Sequence, residues 1–148
     1  MNKIEIAKKF ASLLKSRDWS GLRDLLADKF TARGPTLALN KEQLISYLQI
    51  LITAFPDMEF GLADFEEKDG LMVSRGREKG THTGMLDLRP LGIEVSLPPT
   101  GKTFELPETL YLIGVADGKV VYYGEEEVKG GGLAGLLSQL EVNLQGAS

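Results

Sequence analysis

The sequence predicts an α+β fold, helices first and then a strongly curved antiparallel sheet that wraps onto them as a cone. Three observations carry this. Apolar residues recur at three-and-four spacing in the first third of the chain. Strand-like runs follow over residues 71–83, 103–116 and 119–127. Asp69-Gly70 and Asp117-Gly118, both strong hairpin signals, separate such runs. A sheet curved this far leaves a hollow between itself and the helices.

Bulk properties narrow the function. The 148 residues, 43% apolar and 26% charged, are expected to form one domain over 1–148 with a real core. No apolar run approaches the roughly 18 residues needed to cross a bilayer, so no membrane partner is expected. Met1-Asn2-Lys3-Ile4-Glu5 places charges where an export signal needs an apolar core. The chain has no cysteine, which excludes disulfides, thiolate metal sites and Cys nucleophiles and fits the cytoplasm. Net charge is -4 and no basic stripe occurs, which argues against nucleic acid. A single histidine and no paired-His or EF-hand motif argue against a metal site.

Each element has its own signature. Ile4, Ala7, Phe10, Ala11 and Leu14 mark a helix over 2–16. Asp18-Trp19-Ser20 breaks it, and Asp18 or Ser20 caps a short second helix through Leu22, Leu25 and Leu26. Trp19 reads as a core plug between the two. Phe30 to Arg33 is a short strand ended by Gly34-Pro35. Asn40 and Gln43 form a capping box for a third helix with Leu44, Ile45, Leu48, Leu51, Ile52 and Phe55 inside, stopped by Pro56.

Met58 to Phe65 reads as a strand. In the run 71–83, Met72, Ser74, Gly76, Glu78 and Gly80 share one face and Val73, Arg75, Arg77 and Lys79 the other. Charge on both faces means an edge or the wall of a polar cavity. The long connection 85–101 carries Leu86, Leu88, Leu91 and Leu97 and is expected to pack onto something. The run 103–116 is kinked at Pro107, and Lys119 to Glu127 is the last strand. Gly130-Gly131-Gly132 turns the chain into a short helix through Leu133, Leu136, Leu137 and Leu140, and residues 146–148 are expected to fray.

That order resembles the nuclear transport factor 2-like fold. Within it, the chain resembles the SnoaL-like polyketide cyclase, or ester cyclase, family. Ala54-Phe55-Pro56-Asp57, Gly80-Thr81-His82-Thr83-Gly84, Pro99-Thr100-Gly101-Lys102 and Asp117-Gly118-Lys119-Val120 carry the likeness, with Leu136 to Leu140 adding to it. The resemblance implies aldol ring closure or isomerisation of a hydrophobic, carbonyl-bearing small molecule. It implies no metal or organic cofactor, and an acidic residue as general acid/base. Where the family often carries a His-Trp-Asp-like segment, this chain has Tyr123-Gly124-Glu125.

Candidate residues follow. Proton abstraction beside a carbonyl needs a base with a pKa near the working pH, which a carboxyl in an apolar cavity provides. Glu125 is the candidate, on the strand face with Tyr123 and Glu127; a solvated strand end is the alternative. His82 is the second catalytic candidate, or else a histidine that bonds backbone at a strand bend. Tyr111 and Tyr123 are candidate donors to an oxyanion, or half-buried packing. Glu108 is a candidate for the cavity wall. Arg75, with Arg77, is a candidate carboxylate clamp, or a cross-strand charge partner. Phe60 and Met72 are expected in the core or the pocket wall. Two functions fit: a cofactor-free acid/base enzyme, or a non-catalytic binder of small hydrophobic ligands. Self-association into a homodimer is compatible with both.

Overall fold

The computed structural model describes residues 1–34 and 37–141. Pro35 and the frayed end expected at 146–148 lie outside the described residues. The first helix, α1, runs Lys3–Ser16 and is closed by a capping box in which Asn2 Oδ1 accepts from Glu5 N at 2.8 Å. Asp18 caps α2, Trp19–Leu25. Trp19 is half-buried and packs on the core, as a plug would. The predicted Asn40–Gln43 box opens α3, Lys41–Ala54, with both reciprocal bonds at 2.9 Å.

The strands are β1 Leu26–Arg33, β2 Ala38–Asn40, β3 Glu66–Lys68, β4 Leu71–Gly76, β5 Lys79–Thr81, β6 Leu86–Asp87, β7 Ser96–Leu97, β8 Thr103–Glu105, β9 Thr109–Ala116 and β10 Lys119–Glu125. A last helix, α4, covers Gly132–Gln139. The main sheet has six strands in the order β2-β1-β10-β9-β4-β3. Its neighbours are antiparallel except β1 and β10, which run parallel. α1 packs across β4, β9 and β10, and α3 across β1 and β2. The core lies between these helices and the inner sheet face, filled by Phe10, Phe30, Phe55, Ile45, Met72 and Ile113. This is the helices-on-curved-sheet α+β arrangement the sequence predicts.

Three expectations are corrected. Residues 58–65 are no strand: Gly61 and Asp64 take positive φ of 79° and 46°, which breaks the extended run, and only an isolated bridge joins Glu59 to Lys79. The meander therefore begins at β3. The run 71–83 divides into β4 and β5, which belong to different sheets. The division falls where the 58–65 segment crosses: a Cβ on Gly76 would run into the carbonyl of Gly61. The run 103–116 divides likewise at Leu106–Glu108, around Pro107, and β5 pairs with β8. The 85–101 connection folds into its own two-stranded β6–β7 ribbon, with Leu86 and Leu88 fully buried. Both hairpin turns form as expected, Asp69-Gly70 and Asp117-Gly118 all having positive φ.

Candidate active site

A bulge decides which way β10 points its side chains. The strand pairs with β9 as Val120↔Val115, then Tyr122↔Gly114, Tyr123↔Ile113 and Glu125↔Tyr111, so the register slips at Val121. Val120 is fully buried in the core. Plain alternation from Val120 would send Tyr122 and Gly124 inward. The extra residue instead turns Tyr123 and Glu125 to the inner face. Tyr122 folds over Gly124, where a Cβ would run into its hydroxyl.

Tyr123 and Glu125 open onto a cavity whose other walls are helices. Its inner part, about 50 Å³, is lined by Phe10 and Leu14 of α1, Leu44, Tyr47, Leu48 and Leu51 of α3, Gly132 and Leu133 of α4, and Phe60 and Glu78. An outer part of about 60 Å³ shares Leu44, Tyr47, Tyr123, Glu125 and Leu133 and adds Ala32, Arg33, Gly34, Leu37 and Leu39. A surface depression bordered by Arg33, Tyr122 and Glu127 leads inward, and Glu125 lines it too. Glu125 thus stands at the neck between solvent and interior. Each part has room for a few waters. A drug-sized ligand needs roughly 300 Å³ or more, so binding one requires the walls to move.

Glu78 faces Glu125 across the inner part. It sits between β4 and β5, and its neighbours Arg77 and Lys79 are exposed. The backbone there is clamped. Leu106 N–H donates to Glu78 O at 2.9 Å, while Glu59 and Lys79 exchange two bonds at 2.9 and 3.1 Å. No Lys, Arg or His lines the inner part. The ion pairs among the described residues involve other carboxylates. Both glutamates keep some accessible surface. Burial accordingly raises the pKa of Glu125 and lifts that of Glu78 well above the carboxylate range, with Glu125 adding repulsion. Tyr47, Tyr111 and Tyr123 are also pushed up, by burial first and then by the two carboxyls. They remain hydroxyl donors.

Phe10 packs against Tyr123 at 5.3 Å between ring centroids, and Tyr111 stacks on it at 6.3 Å and 6°. Tyr111 is buried behind Tyr123 and supports it without lining the cavity. Phe60 is in the wall, and the guanidinium of Arg17 lies 5.7 Å from its ring. Met72 is fully buried in the core and outside the lining. Glu108 and Arg75 are exposed and line no described part of the cavity. For Arg75 the reason is register: it pairs with Leu110, on the face opposite Tyr111.

His82 lies elsewhere. It is fully buried, 5.3 Å from the Phe55 ring centroid, and absent from the cavity lining. Thr100 N–H donates to its Nδ1 at 3.2 Å, which puts the ring proton on Nε2, and Thr100 Oγ1 lies 2.9 Å from the same nitrogen. Nε2 has no partner among the described residues. Burial lowers its pKa, against a smaller opposing pull from the carbonyls of Gly84 and Leu97. The backbone-bonding alternative from the sequence describes this geometry. Nearby, Asp57 accepts from Thr81 N and Oγ1, both at 2.8 Å, and these bonds hold its carboxyl below the usual range. Ala54-Phe55-Pro56-Asp57, the Gly-Thr-His-Thr-Gly run and Pro99-Thr100-Gly101 therefore meet as one structural clasp.

Sequence reasoning missed Glu78 and Tyr47 as wall residues. Both had a signal. Glu78 is the single charge on a strand face of small and apolar residues, and Tyr47 falls in phase with Leu44, Leu48 and Leu51.

Fold and site together define a cone-shaped α+β protein with an acid-bearing interior cavity. The SnoaL-like polyketide cyclase family model matches residues 4–127, and the chain belongs to that family. The chain is similar in fold to IdmH from Streptomyces antibioticus, described as a candidate polyketide cyclase: 24% identity, 96% of this chain and 100% of that one covered, TM-score 0.68. A candidate SnoaL-like polyketide cyclase from Jannaschia sp. CCS1 shares 20% identity over 83% of each chain, TM-score 0.65. A Catenulispora acidiphila protein of ketosteroid isomerase-like fold, in complex with trimethylamine, shares 11% over 97% of this chain and 98% of that one, TM-score 0.65. No curated protein matches the chain. The family model carries the kinship to SnoaL-like polyketide cyclases, and the solved neighbours add the shared fold.

Proposed function

We propose that the protein is a cofactor-independent acid/base enzyme acting on a hydrophobic, carbonyl-bearing small molecule, by aldol cyclisation or isomerisation. One observation carries this: the Glu125 carboxyl stands at the neck of an apolar cavity, with raised proton affinity and tyrosine hydroxyls beside it. In this reading Glu125 takes the proton from the carbon next to a carbonyl. The electron pair moves onto the carbonyl oxygen, where the hydroxyls of Tyr47 and Tyr123 donate hydrogen bonds. In cyclisation the new carbon–carbon bond forms at a second carbonyl, whose oxygen ends protonated, so no net proton is consumed. His82, walled off against Phe55 and Thr100, keeps only a supporting place in the proposal, and Glu108 and Arg75 none in the chemistry.

Replacing Glu125 by Gln keeps shape and removes the base. Turnover of an aromatic polyketide or an enolisable cyclic ketone should fall about 10²–10⁴-fold, with the melting temperature unchanged or higher. Full activity in Glu125→Gln removes Glu125 from the mechanism.

The small volume of the cavity supports a second reading, a non-catalytic binder of compact hydrophobic ligands. In that case Glu125→Gln binds the same ligands as well as the parent does, and no turnover is found in either. The half-buried outer sheet face around Leu110, Leu112 and Val121 favours a homodimer, which a monomer mass by light scattering would rule out. The lack of cysteine suits a cytoplasmic setting, which localisation of a tagged chain checks.

A further inference from the structure

We propose that Glu78 is a second catalytic residue: the general acid that protonates the substrate's acceptor oxygen while Glu125 removes the proton from carbon. The inference rests on the acid/base function proposed above and adds a division of labour. Two carboxyls open into one narrow chamber with mostly apolar walls and no cation in its lining. A second charge there is strongly disfavoured, because no counter-ion lines the inner part and the few waters it has room for solvate a carboxylate far less than bulk solvent does. The walls decide which one keeps its proton. Glu125 also lines the outer part and the surface depression, with Arg33 bordering both. Among the described parts of the cavity, Glu78 lines the inner one alone. Glu125 is therefore the group that ionises, and Glu78 the group that stays neutral.

The other titratable groups facing the chamber are Tyr47 from α3 and Tyr123 from β10, with Tyr111 of β9 stacked behind. None supplies a positive charge. Rigid placement supports a catalytic part for Glu78. Its backbone is clamped on two sides, by Leu106 and through Lys79 by Glu59, and the exposed Arg77 and Lys79 on either side leave it pointing inward.

The proton account closes. Glu125 accepts the proton from carbon as the carbon–carbon bond forms. The acceptor carbonyl oxygen takes the proton of Glu78 and becomes the hydroxyl. The proton on Glu125 then returns to Glu78, directly or through a chamber water. Pairs of acids whose surroundings set their proton affinities apart serve general acid and base in this way.

Carboxyl NMR on glutamate-labelled, ligand-free protein tests the premise without any substrate. One side-chain carboxyl, assigned through Glu78→Gln, should stay protonated through neutral pH. A second, assigned through Glu125→Gln, should titrate below it and hold its position when Glu78 becomes Gln, because a neutral Glu78 exerts no repulsion on it, whereas the Glu78 signal should move down when Glu125 becomes Gln. If Glu78 titrates with the surface glutamates, the inference is overturned, whatever Glu125 does. Turnover then separates the roles: Glu78→Gln should lose the high-pH limb of the rate profile, and Glu125→Gln the low-pH limb. A Glu78→Gln enzyme with parental rate and profile rejects the acid role and leaves the Glu125 proposal standing. Loss of both limbs in Glu125→Gln alone assigns all proton transfer to Glu125 and also overturns it. Should Glu78→Gln fold poorly, Glu78→Leu serves as the second variant in both measurements.

Discussion

His82 and Glu125 are the two catalytic candidates that sequence alone selects, and physical surroundings part them. Glu125 borders the cavity from neck to interior. His82 is packed against Phe55, its Nδ1 held by the Thr100 N–H, with burial lowering its pKa. A folded-state pKa below the unfolded value means stability that is present above about 6.5 and is lost as pH falls through that range. His82→Gln should therefore cost about 1–3 kcal/mol at neutral pH, the scale of a buried group losing its hydrogen bond. The cost should shrink below about pH 6.5, where the parent must charge or expose its imidazole. Turnover per folded molecule should stay within a few-fold. A hundred-fold loss of rate with stability preserved would return His82 to the chemistry.

At the scale of elements, two local devices build the site, and neither is visible in composition. The bulge at Val121 rotates Tyr123 and Glu125 inward, and the glycine turn before α4 brings Gly132 and Leu133 onto the cavity. Gly130 and Gly132 have φ of 83° and 68°, and Gly135 sits so close that a Cβ would meet the carbonyl of Gly130. Gln139 fixes the far end of α4 with two bonds to the Glu105 backbone, at 2.8 and 2.9 Å. Gly135→Ala should push α4 off this seat at a cost of about 1–3 kcal/mol. Hydrogen exchange over 131–139 should accelerate more than exchange in β9. Unchanged exchange in α4 would mean the helix does not depend on that close approach.

Caps, hairpin turns and the order of elements were legible because each follows from local chemistry. Asn40 with Gln43 and the two Asp-Gly turns formed as their residues predict. The divisions of 71–83 and 103–116 were not legible. They follow from the 58–65 segment crossing at Gly76, a contact between distant residues that no period encodes.

Across the whole molecule, the motifs that reveal the family and the groups that face the cavity are different sets. The Phe55–Asp57, Thr81–Gly84 and Thr100 stretches make one clasp through His82 and Thr81, while Glu78 and Tyr47 belong to no such motif. The family was readable because each of the three pieces of the clasp is a short run continuous in sequence. Half of the carboxyl pair was not, because Glu78 gains its meaning only from helices packed opposite.

The central claim is that two carboxyls share a narrow, poorly solvated space, and this has a thermodynamic signature. Both have folded-state pKa values above their unfolded ones, so the folded chain binds protons more tightly. Stability must then fall as pH rises from the ordinary glutamate range through the raised values. Chemical denaturation of the parent and of Glu78→Gln/Glu125→Gln across this range tests it most directly. The account predicts a double variant that is more stable at neutral pH, with the advantage vanishing as pH falls towards about 4.3. A double variant whose stability differs from the parent by the same amount at every pH would contradict it.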